Sequence, residues 1–556
     1  MLGVLIAFIS SQYRHLPSPF PVPMTTSPNE FTRAIGAAYD ETPYVSIAFP
    51  QTHPDKLCAM ARLFGLDAPA PARARVLELG CAGGSNLLPM AQHAPGARFL
   101  GIDASAKQIA SARAAIAKCA LSNVEVRQQD LMEFAASEGK FDYIIAHGLF
   151  SWVPAQVREK VLAICRDHLS PEGVAFVSYN ALPGWGMRQP LREMMLFHTR
   201  TLSDPKAKVD KARALFAFLA DATANDGSPY GLLLQQELAK LERYSDDYVR
   251  HDLLGEVNQP FYFHEFVSLA ANAHLQYLSE PLLAQMLPLN LPPKTQDTIR
   301  KLGKDPIAQE QYMDFVRNQN FRQTLLCHAG ASLTRNITPE RIKSFYYTSL
   351  IIPPDEGALQ LDAGVVHDFK LKNTTATLKV ENPFPKAVFE RLAQAKLARV
   401  SYPELVQAAR AKAQPFLVDD AHQRRATQDE AALPQTIMQL YMRGLIDIYA
   451  EQSPLTLAVA QKPAATALAR YQAEQTHLVT NRAHDSIPLD GNARFVVIAC
   501  NGQRDAAGIV DWLTQLAKNG TLKLSDPGLE QAAEVRASIE NLVAIALPKL
   551  AAAGFF

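Results

Sequence analysis

The sequence predicts an α/β fold: a parallel sheet near the N-terminus, then a helical domain, then a winged-helix-like α+β region. Two observations predict it. Between Arg75 and Asn180 short apolar runs alternate with helix-length amphipathic stretches, the pattern of βαβ units. Beyond about residue 205 that alternation gives way to long helical spacing, and beyond Pro339 to short helices and hairpin patterns.

The elements follow in order. Arg75–Leu79 (RVLEL) reads as a buried first strand, followed by Gly80-Cys81-Ala82-Gly83-Gly84 and a helix that turns Leu87, Leu88, Met90 and Ala91 inward. Arg98–Ile102 (RFLGI) is a second strand ending in Asp103, and Ser105 is placed to cap a helix with Ile109, Ala112 and Ile116 at helical spacing. Val124–Arg127 is a third strand ending near Asp130, and Asp142–Ala146 a fourth, followed by His147-Gly148. A helix led by Pro154 runs to about His168. Ser170–Gly173 then turns the chain into a fifth strand, Val174–Tyr179. This is a Rossmann-like order, in which ligands sit outside the carboxyl ends of the strands.

Composition narrows the function classes. The 556 residues carry 55 Lys+Arg against 55 Asp+Glu, which argues against a polycation that binds DNA by counterion release. At 48% hydrophobic and 20% charged, the chain has material for packed cores. Cys58, Cys81, Cys119, Cys165, Cys327 and Cys500 form no C-x-x-C pair, which suits a reducing compartment. The apolar run Leu2–Ile9 has no basic stretch before it and is too short to span a bilayer, which needs roughly 20 residues. It reads as an early start, with Pro17–Pro23 as unstructured linker and Met24 beginning the working chain.

Chemistry concentrates at the strand ends. Glycines after the first strand let backbone approach a ligand. Asp103 can accept both hydroxyls of a ribose, while Asp130 and the Leu131 backbone can reach an adenine edge. That set suits NAD or S-adenosylmethionine. The dinucleotide fingerprint G-x-G-x-x-G fails, because Gly80 is followed at the required places by Ala82 and Ser85. Glu78 before the glycines would repel a pyrophosphate but could help hold a cationic methionine end. Cys81 has no partner histidine implied and contributes only its backbone amide. Phe150, Trp152, Tyr179 and Trp185 crowd the loops after strands four and five, where aromatic faces can hold an ammonium by cation–π attraction.

Val76–Gly84 (VLELGCAGG), Gly101-Ile102-Asp103, His147–Pro154 (HGLFSWVP) and Ser178–Arg188 (SYNALPGWGMR) resemble class I methyltransferases that carry a regulatory domain. Among these the chain is most similar to bacterial lysine methyltransferases that modify outer-membrane proteins, and Tyr39–Pro54 (YDETPYVSIAFPQTHP) matches that group as well. The likeness is dense over roughly residues 35–200. It implies S-adenosyl-L-methionine as cofactor and an N-terminal segment folding over it. It also implies a cytoplasmic enzyme whose acceptor is a protein, an outer-membrane protein before export. The cofactor set it suggests is Tyr39, Tyr44, Glu78, Gly80, Cys81, Ala82, Gly83, Asn86, Asp103, Ala104, Asp130, Leu131 and His147; the catalytic set is His147, Trp152, Tyr179 and Trp185, with His147 and Tyr179 as candidate bases.

The remaining chain divides into a helical regulatory domain over 205–330 and a winged-helix-like domain over 331–556, after a methyltransferase domain with its lid over 25–204. Lys206–Ala220 and Gly231–Arg243 are amphipathic, and Leu287–Lys294 marks a loop. His251, His264 and His274 are metal ligands by type only; their spacing fits no zinc pattern, so no metal is expected. Phe369–Val380 reads as a hairpin around Asn373-Thr374-Thr375. Phe389–Leu397, Tyr402–Ala411 and Leu433–Tyr441 read as three helices leading into the strand Leu445–Tyr449, and a weaker copy starts at Leu489-Asp490-Gly491 and continues through Val496–Cys500 and Ala507–Leu516. Arg443 is the only basic residue by the recognition helix, and Arg424-Arg425 reads as a solvated pair in a loop, so protein docking is favoured over DNA. Residues 205–556 exceed what a small acceptor needs, although homodimerisation would also use them. The competing readings are a methyltransferase of small amines and a cofactor-sensing DNA-binding regulator.

Overall fold

A computed structural model describes residues 28–44, 46–224, 227–354, 359–372, 377–453, 455–523 and 532–556. The readings of Leu2–Ile9, Pro17–Pro23, Met24 and the turn Asn373–Thr375 lie outside the described residues.

The sheet near the N-terminus has seven strands in the order β3-β2-β1-β4-β5-β7-β6. β1 (Arg75–Leu79), β2 (Arg98–Asp103), β3 (Val124–Gln128), β4 (Phe141–Ala146) and β5 (Leu169–Asn180) run parallel. β7 (Phe321–His328) pairs antiparallel with β5, and β6 (Leu275–Ser279) antiparallel with β7. The sheet is therefore mixed, and two of its strands come from the stretch expected to be helical. Short segments such as LQYLS carry too little β-branched or alternating signal to stand out among helices. The turn expected at Ser170–Gly173 is also absent: β5 begins at Leu169, and a register shift opposite Phe141/Tyr143 absorbs the extra residues.

Strand alternation sends Val76, Tyr143, Ile145 and Phe176 to one core and Leu77, Leu79, Ile144 and Tyr179 to the other. The first core also receives α2 (Pro54–Leu63), α3 (Leu87–His93) and α4 (Ala106–Cys119), the second α5 (Ala155–His168). α4 is capped as its sequence predicts, the Ser105 hydroxyl accepting from the Gln108 amide. α1 (Pro28–Glu41) packs along α4, and the Asp40 carboxylate accepts from the Ser105 hydroxyl and, at 2.9 Å, from the Lys107 amide.

α2 is buried almost all round because the sheet covers one side and the region after residue 340 the other. Its charged residues are correspondingly paired. Lys56 Nζ meets Asp447 at 2.8 Å, and Asp55 receives Arg399 and the backbone amides of Ala450 (2.7 Å) and Glu451 (3.0 Å).

Between these parts, α6 (Gln189–Thr199), α7 (Pro205–Ala222) and α8 (Pro229–Leu241) share a small core closed by the π-helical turn Val249–Leu253. α9 (Phe263–Asn272) and α11 (Pro306–Arg317) flank β6 and β7, and α10 (Pro293–Leu302) packs on α11. Here Arg322 on β7 sits among Glu280 (3.0 Å), Glu310 (3.0 Å) and Asp314 (2.8 Å), all buried, with its guanidinium over the Phe263 ring.

Beyond residue 340, besides the short strands β8 (Tyr346–Ser349), β9 (Ile351–Ile352) and β12 (Val400–Ser401), the expected elements are present: the hairpin strands β10 (His367–Leu371) and β11 (Thr377–Val380), three helices over Pro383–Ala395, Tyr402–Ala413 and Leu433–Met442, and the strand β13 (Ile446–Tyr449). Arg424 and Arg425 lie on a further helix, Asp420–Ala431, not in a loop; Arg425 pairs with Asp429 one turn on, at 3.1 Å. The last unit joins the hairpin of β14 (Leu478–Thr480) and β15 (Ser486–Pro488) to helices Ala467–Gln475, Gly491–Ala499, Ala506–Lys518 and Ala532–Ala552 around its own core. No helix among the described residues is long and apolar enough to cross a membrane.

Candidate cofactor and acceptor site

A cavity of about 400 Å³ opens outside the carboxyl ends of β1, β2, β4 and β5. The loop after β1 forms its floor. Gly80 (φ 74°) and Ala82 (φ 46°) both take the left-handed conformation, which glycine adopts freely and alanine only at a cost of about 1 kcal/mol. That conformation turns the Ala82 amide onto Asp103 Oδ2 at 2.9 Å, while Oδ1 accepts from the Ser105 amide at 2.8 Å. Burial raises the Asp103 carboxyl, and these amides oppose the shift. Cys81 turns its sulfur inward, where a Cβ on Gly101 would meet it at 2.7 Å, so its side chain is core.

Glu78 is buried beside the loop. Its Oε1 accepts from Asn86 Nδ2 at 2.7 Å, and its Oε2 is buried with no hydrogen-bond partner. Burial pushes its carboxyl up to about 8, with Asp103 adding to the shift and Asn86 opposing it. His147 lies between the rings of Phe49 (4.0 Å), Phe176 (5.7 Å) and Phe321 (6.0 Å), and burial lowers it to about 4, so it is neutral. Trp152 and Trp185 meet edge to face at 5.9 Å, with Trp185 Nε1 buried and unbonded.

The cavity walls bring together Tyr39, Tyr44, Glu78, Gly80, Cys81, Ala82, Asn86, Asp103, Ala104, Leu131, His147, Trp152 and Trp185 from the expected set. Three expected residues fall elsewhere. Tyr179 faces the opposite side of β5: its ring stacks on Phe266 at 4.0 Å and its hydroxyl meets Thr324 at 3.2 Å, so it is a core residue and no base. Asp130 caps the turn after β3, accepting from the Met132 amide at 2.9 Å, and Gln129 lines the cavity instead. Gly83 packs on Gln108, which a Cβ there would approach to 3.1 Å.

Sequence reasoning missed other lining residues. Asn180 follows from strand alternation, because it must face opposite to Tyr179. Tyr248, Asp252, Asn320 and Phe321 had no signal, since they reach the cavity from chain more than 60 residues beyond β5. His251 stacks on Tyr39 at 4.4 Å, and its Nε2 donates to the Thr42 carbonyl at 2.7 Å; it is thus lid packing. His264 bonds Gln311, and among the described residues no group of three His, Cys, Asp or Glu could hold a metal.

Three family models match along the chain: a methyltransferase domain over residues 76–173, a predicted methyltransferase regulatory domain over 245–328, and the PKMT C-terminal winged helix domain over 461–555. An uncharacterized protein of Rickettsia prowazekii is 34% identical over 512 residues, 91% of either chain. The solved structure of PKMT2 from Rickettsia typhi in complex with AdoHcy is 31% identical, with a TM-score of 0.80 over 92% of this chain and 99% of that one.

The chain belongs to the PKMT family of S-adenosylmethionine-dependent methyltransferases.

A trans-aconitate 2-methyltransferase of Deinococcus radiodurans matches only 133 residues, 24% of this chain, at 35% identity. In this methyltransferase the winged helix of the family model coincides with the stretch that reads from the sequence as the weaker of two copies. The cavity's chemistry fits the cofactor. Asp103 keeps lone pairs for a ribose diol, and the unbonded Glu78 Oε2 offers a carboxylate to a cationic methionine end. A prediction follows from the raised Glu78. Below about 8 the carboxyl must release a proton before it can face a cation, at about 1.4 kcal/mol per pH unit. Affinity for S-adenosylmethionine should therefore strengthen as pH rises from 6 to about 8. Calorimetric titration of Glu78→Gln should show a flatter profile than wild type.

Proposed function

We propose that this methyltransferase transfers its methyl group to a lysine side chain of a protein. The observation that carries the reading is the pair of tryptophans, Trp152 and Trp185, bounding the same cavity as Glu78 and Asp103. Indole faces attract an ammonium, and an apolar wall disfavours its charged form. The similarity to PKMT2 and the extra chain beyond the sheet support a protein acceptor.

When bound, S-adenosylmethionine supplies an electrophilic methyl on a sulfonium. The chain's own residues do the rest by positioning. Asp103 would hold the ribose, Glu78 and the loop amides would orient the methionine end, and α1 with Tyr39 and Tyr44, which line the cavity, would shield it from water. A lysine, with a pKa near 10.4 in water, must lose a proton before it can attack. Asp252 is the group for that task. It lines the cavity, and its carboxyl is raised to about 7 by burial and then by Asp247, against Arg188. Turnover should accordingly rise as pH passes through about 7, and Asp252→Asn should remove that limb; a rate–pH profile at saturating cofactor checks it.

On this reading residues 25–204 form the transferase with its lid, 205–330 the regulatory domain and 331–556 the acceptor-docking region. The enzyme works in the cytoplasm on outer-membrane proteins before export. Incubation with methyl-labelled cofactor and a bacterial protein fraction, followed by acid hydrolysis, should place label in methyllysine. Label confined to small amines would overturn the reading, as would genomic DNA binding without turnover.

A further inference from the structure

The C-terminal unit touches Asn86, a residue that lines the cofactor cavity. His484, in the turn between β14 and β15, has a left-handed backbone (φ 65°) and is buried. The turn is fixed from behind: Asn481 Nδ2 donates to the Ala553 carbonyl at 2.7 Å, and the Arg482 amide to the Gly554 carbonyl at 2.8 Å. A non-glycine residue held in this conformation by its surroundings marks a constrained position.

The His484 Nε2–H donates to Asn86 Oδ1 at 2.9 Å, and the Phe49 amide donates to the same oxygen at 2.9 Å. The Thr52 hydroxyl is a further partner, 3.2 Å from Oδ1 and 3.0 Å from Nδ2, and the donors gathered on Oδ1 forbid an inverted carboxamide, whose NH₂ would face them. Asn86 Nδ2 is thereby aimed at Glu78 Oε1, 2.7 Å away. Two residues on, Ser486 Oγ accepts from the Ala48 amide at 2.9 Å, so the hairpin also braces the segment that carries Phe49 against His147.

We infer that His484 is a positioning residue of the cofactor site, through which the C-terminal winged helix unit helps hold Asn86 on Glu78. The groups facing the bridge are few. His53 lies edge-on to His484 at 5.1 Å, and His93 is a neighbour; burial lowers all three, so the imidazole is neutral and donates only from Nε2. Asp103 is the charged group that acts on Glu78. Loss of His484 removes one donor from the carboxamide oxygen, leaves the Phe49 amide and the Thr52 hydroxyl to hold it, loosens its bond to Glu78 and makes that carboxyl harder to ionise.

The inference rests on the cavity being the cofactor site, and one experiment separates the two. Full-length wild type, His484→Ala and His484→Gln are titrated with S-adenosylmethionine between pH 6 and 9. His484→Ala should bind about tenfold more weakly at pH 7, as expected for a lost hydrogen bond relayed to a charged group, with the midpoint of its pH rise moved upward. His484→Gln, whose amide can still donate to Asn86, should recover most of both. An affinity and midpoint equal to wild type overturn the inference, as does weakened binding with an unmoved midpoint. If wild type binds nothing, the site reading fails and takes the inference with it. If His484→Ala does not fold, the nitrogen-labelled histidines of wild type decide: the His484 Nε2–H signal should be protected from exchange and shift on adding S-adenosylmethionine, and an exchanging or unshifted signal overturns the inference.

Discussion

Arg322→Ala should destabilise the protein by about 4 kcal/mol, the scale for breaking a buried ion pair and leaving its partners unpaired. Arg322 is 5% exposed and holds Glu280, Glu310 and Asp314 at 2.8–3.0 Å; Glu310 accepts in addition from the Tyr277 hydroxyl at 2.9 Å. Burial already raises all three carboxyls, Glu280 to about 7, and Arg322 is the cation that opposes each shift. Without it the carboxyls must take up protons. A carboxyl raised on folding binds protons more tightly folded than unfolded, so its contribution is fully present below about 4.5 and lost as pH rises through the folded value. The variant's deficit should shrink on acidification from pH 8 to 5. Thermal melting should show a fall of roughly 10 °C at pH 8. Arg322→Lys should rescue little, because one ammonium cannot serve three carboxylates. An unchanged melting temperature would contradict the role given to this network.

Trp152→Ala should lower methyl transfer to protein lysine roughly thirtyfold while changing cofactor affinity less than threefold. On the proposed lysine reading the indole would contribute about 1–2 kcal/mol of cation–π attraction and part of the wall that aligns the acceptor, and small misalignments are costly in rate. Trp152→Phe keeps an aromatic face and should recover much of the loss. Single-turnover rates with labelled cofactor, set beside calorimetric affinities, give the comparison. Equal losses in both would place Trp152 against the cofactor instead.

Much of the catalytic sheet was legible because its local signals agree. The run RVLEL, the glycine loop and the Ser105 cap each specify one structure, and Asp103 and Glu78 lie where strand ends must put them. Tyr179 was misread for a physical reason: an aromatic-rich loop gives no phase, and only the burial of Phe176 and Val177 on opposite faces of β5 fixes which side Tyr179 takes. β6 and β7 were illegible because antiparallel strands added to one side of the sheet from distant chain carry no βαβ signature. Asp252 and His484 illustrate the remainder. Both are polar residues in ordinary local sequence, and only tertiary packing brings Asp252 to the cavity wall and His484 onto Asn86 behind it.

Cofactor binding should depend on Asp103, which lines the cavity with its two oxygens held at 2.8–2.9 Å by backbone amides. Calorimetric titration of S-adenosylmethionine into the full chain tests this most directly. Wild type should bind one equivalent, and Asp103→Ala should bind at least a hundredfold more weakly, the loss of two charge-assisted hydrogen bonds. Wild type that gives no binding, or Asp103→Ala that binds as wild type does, would contradict it.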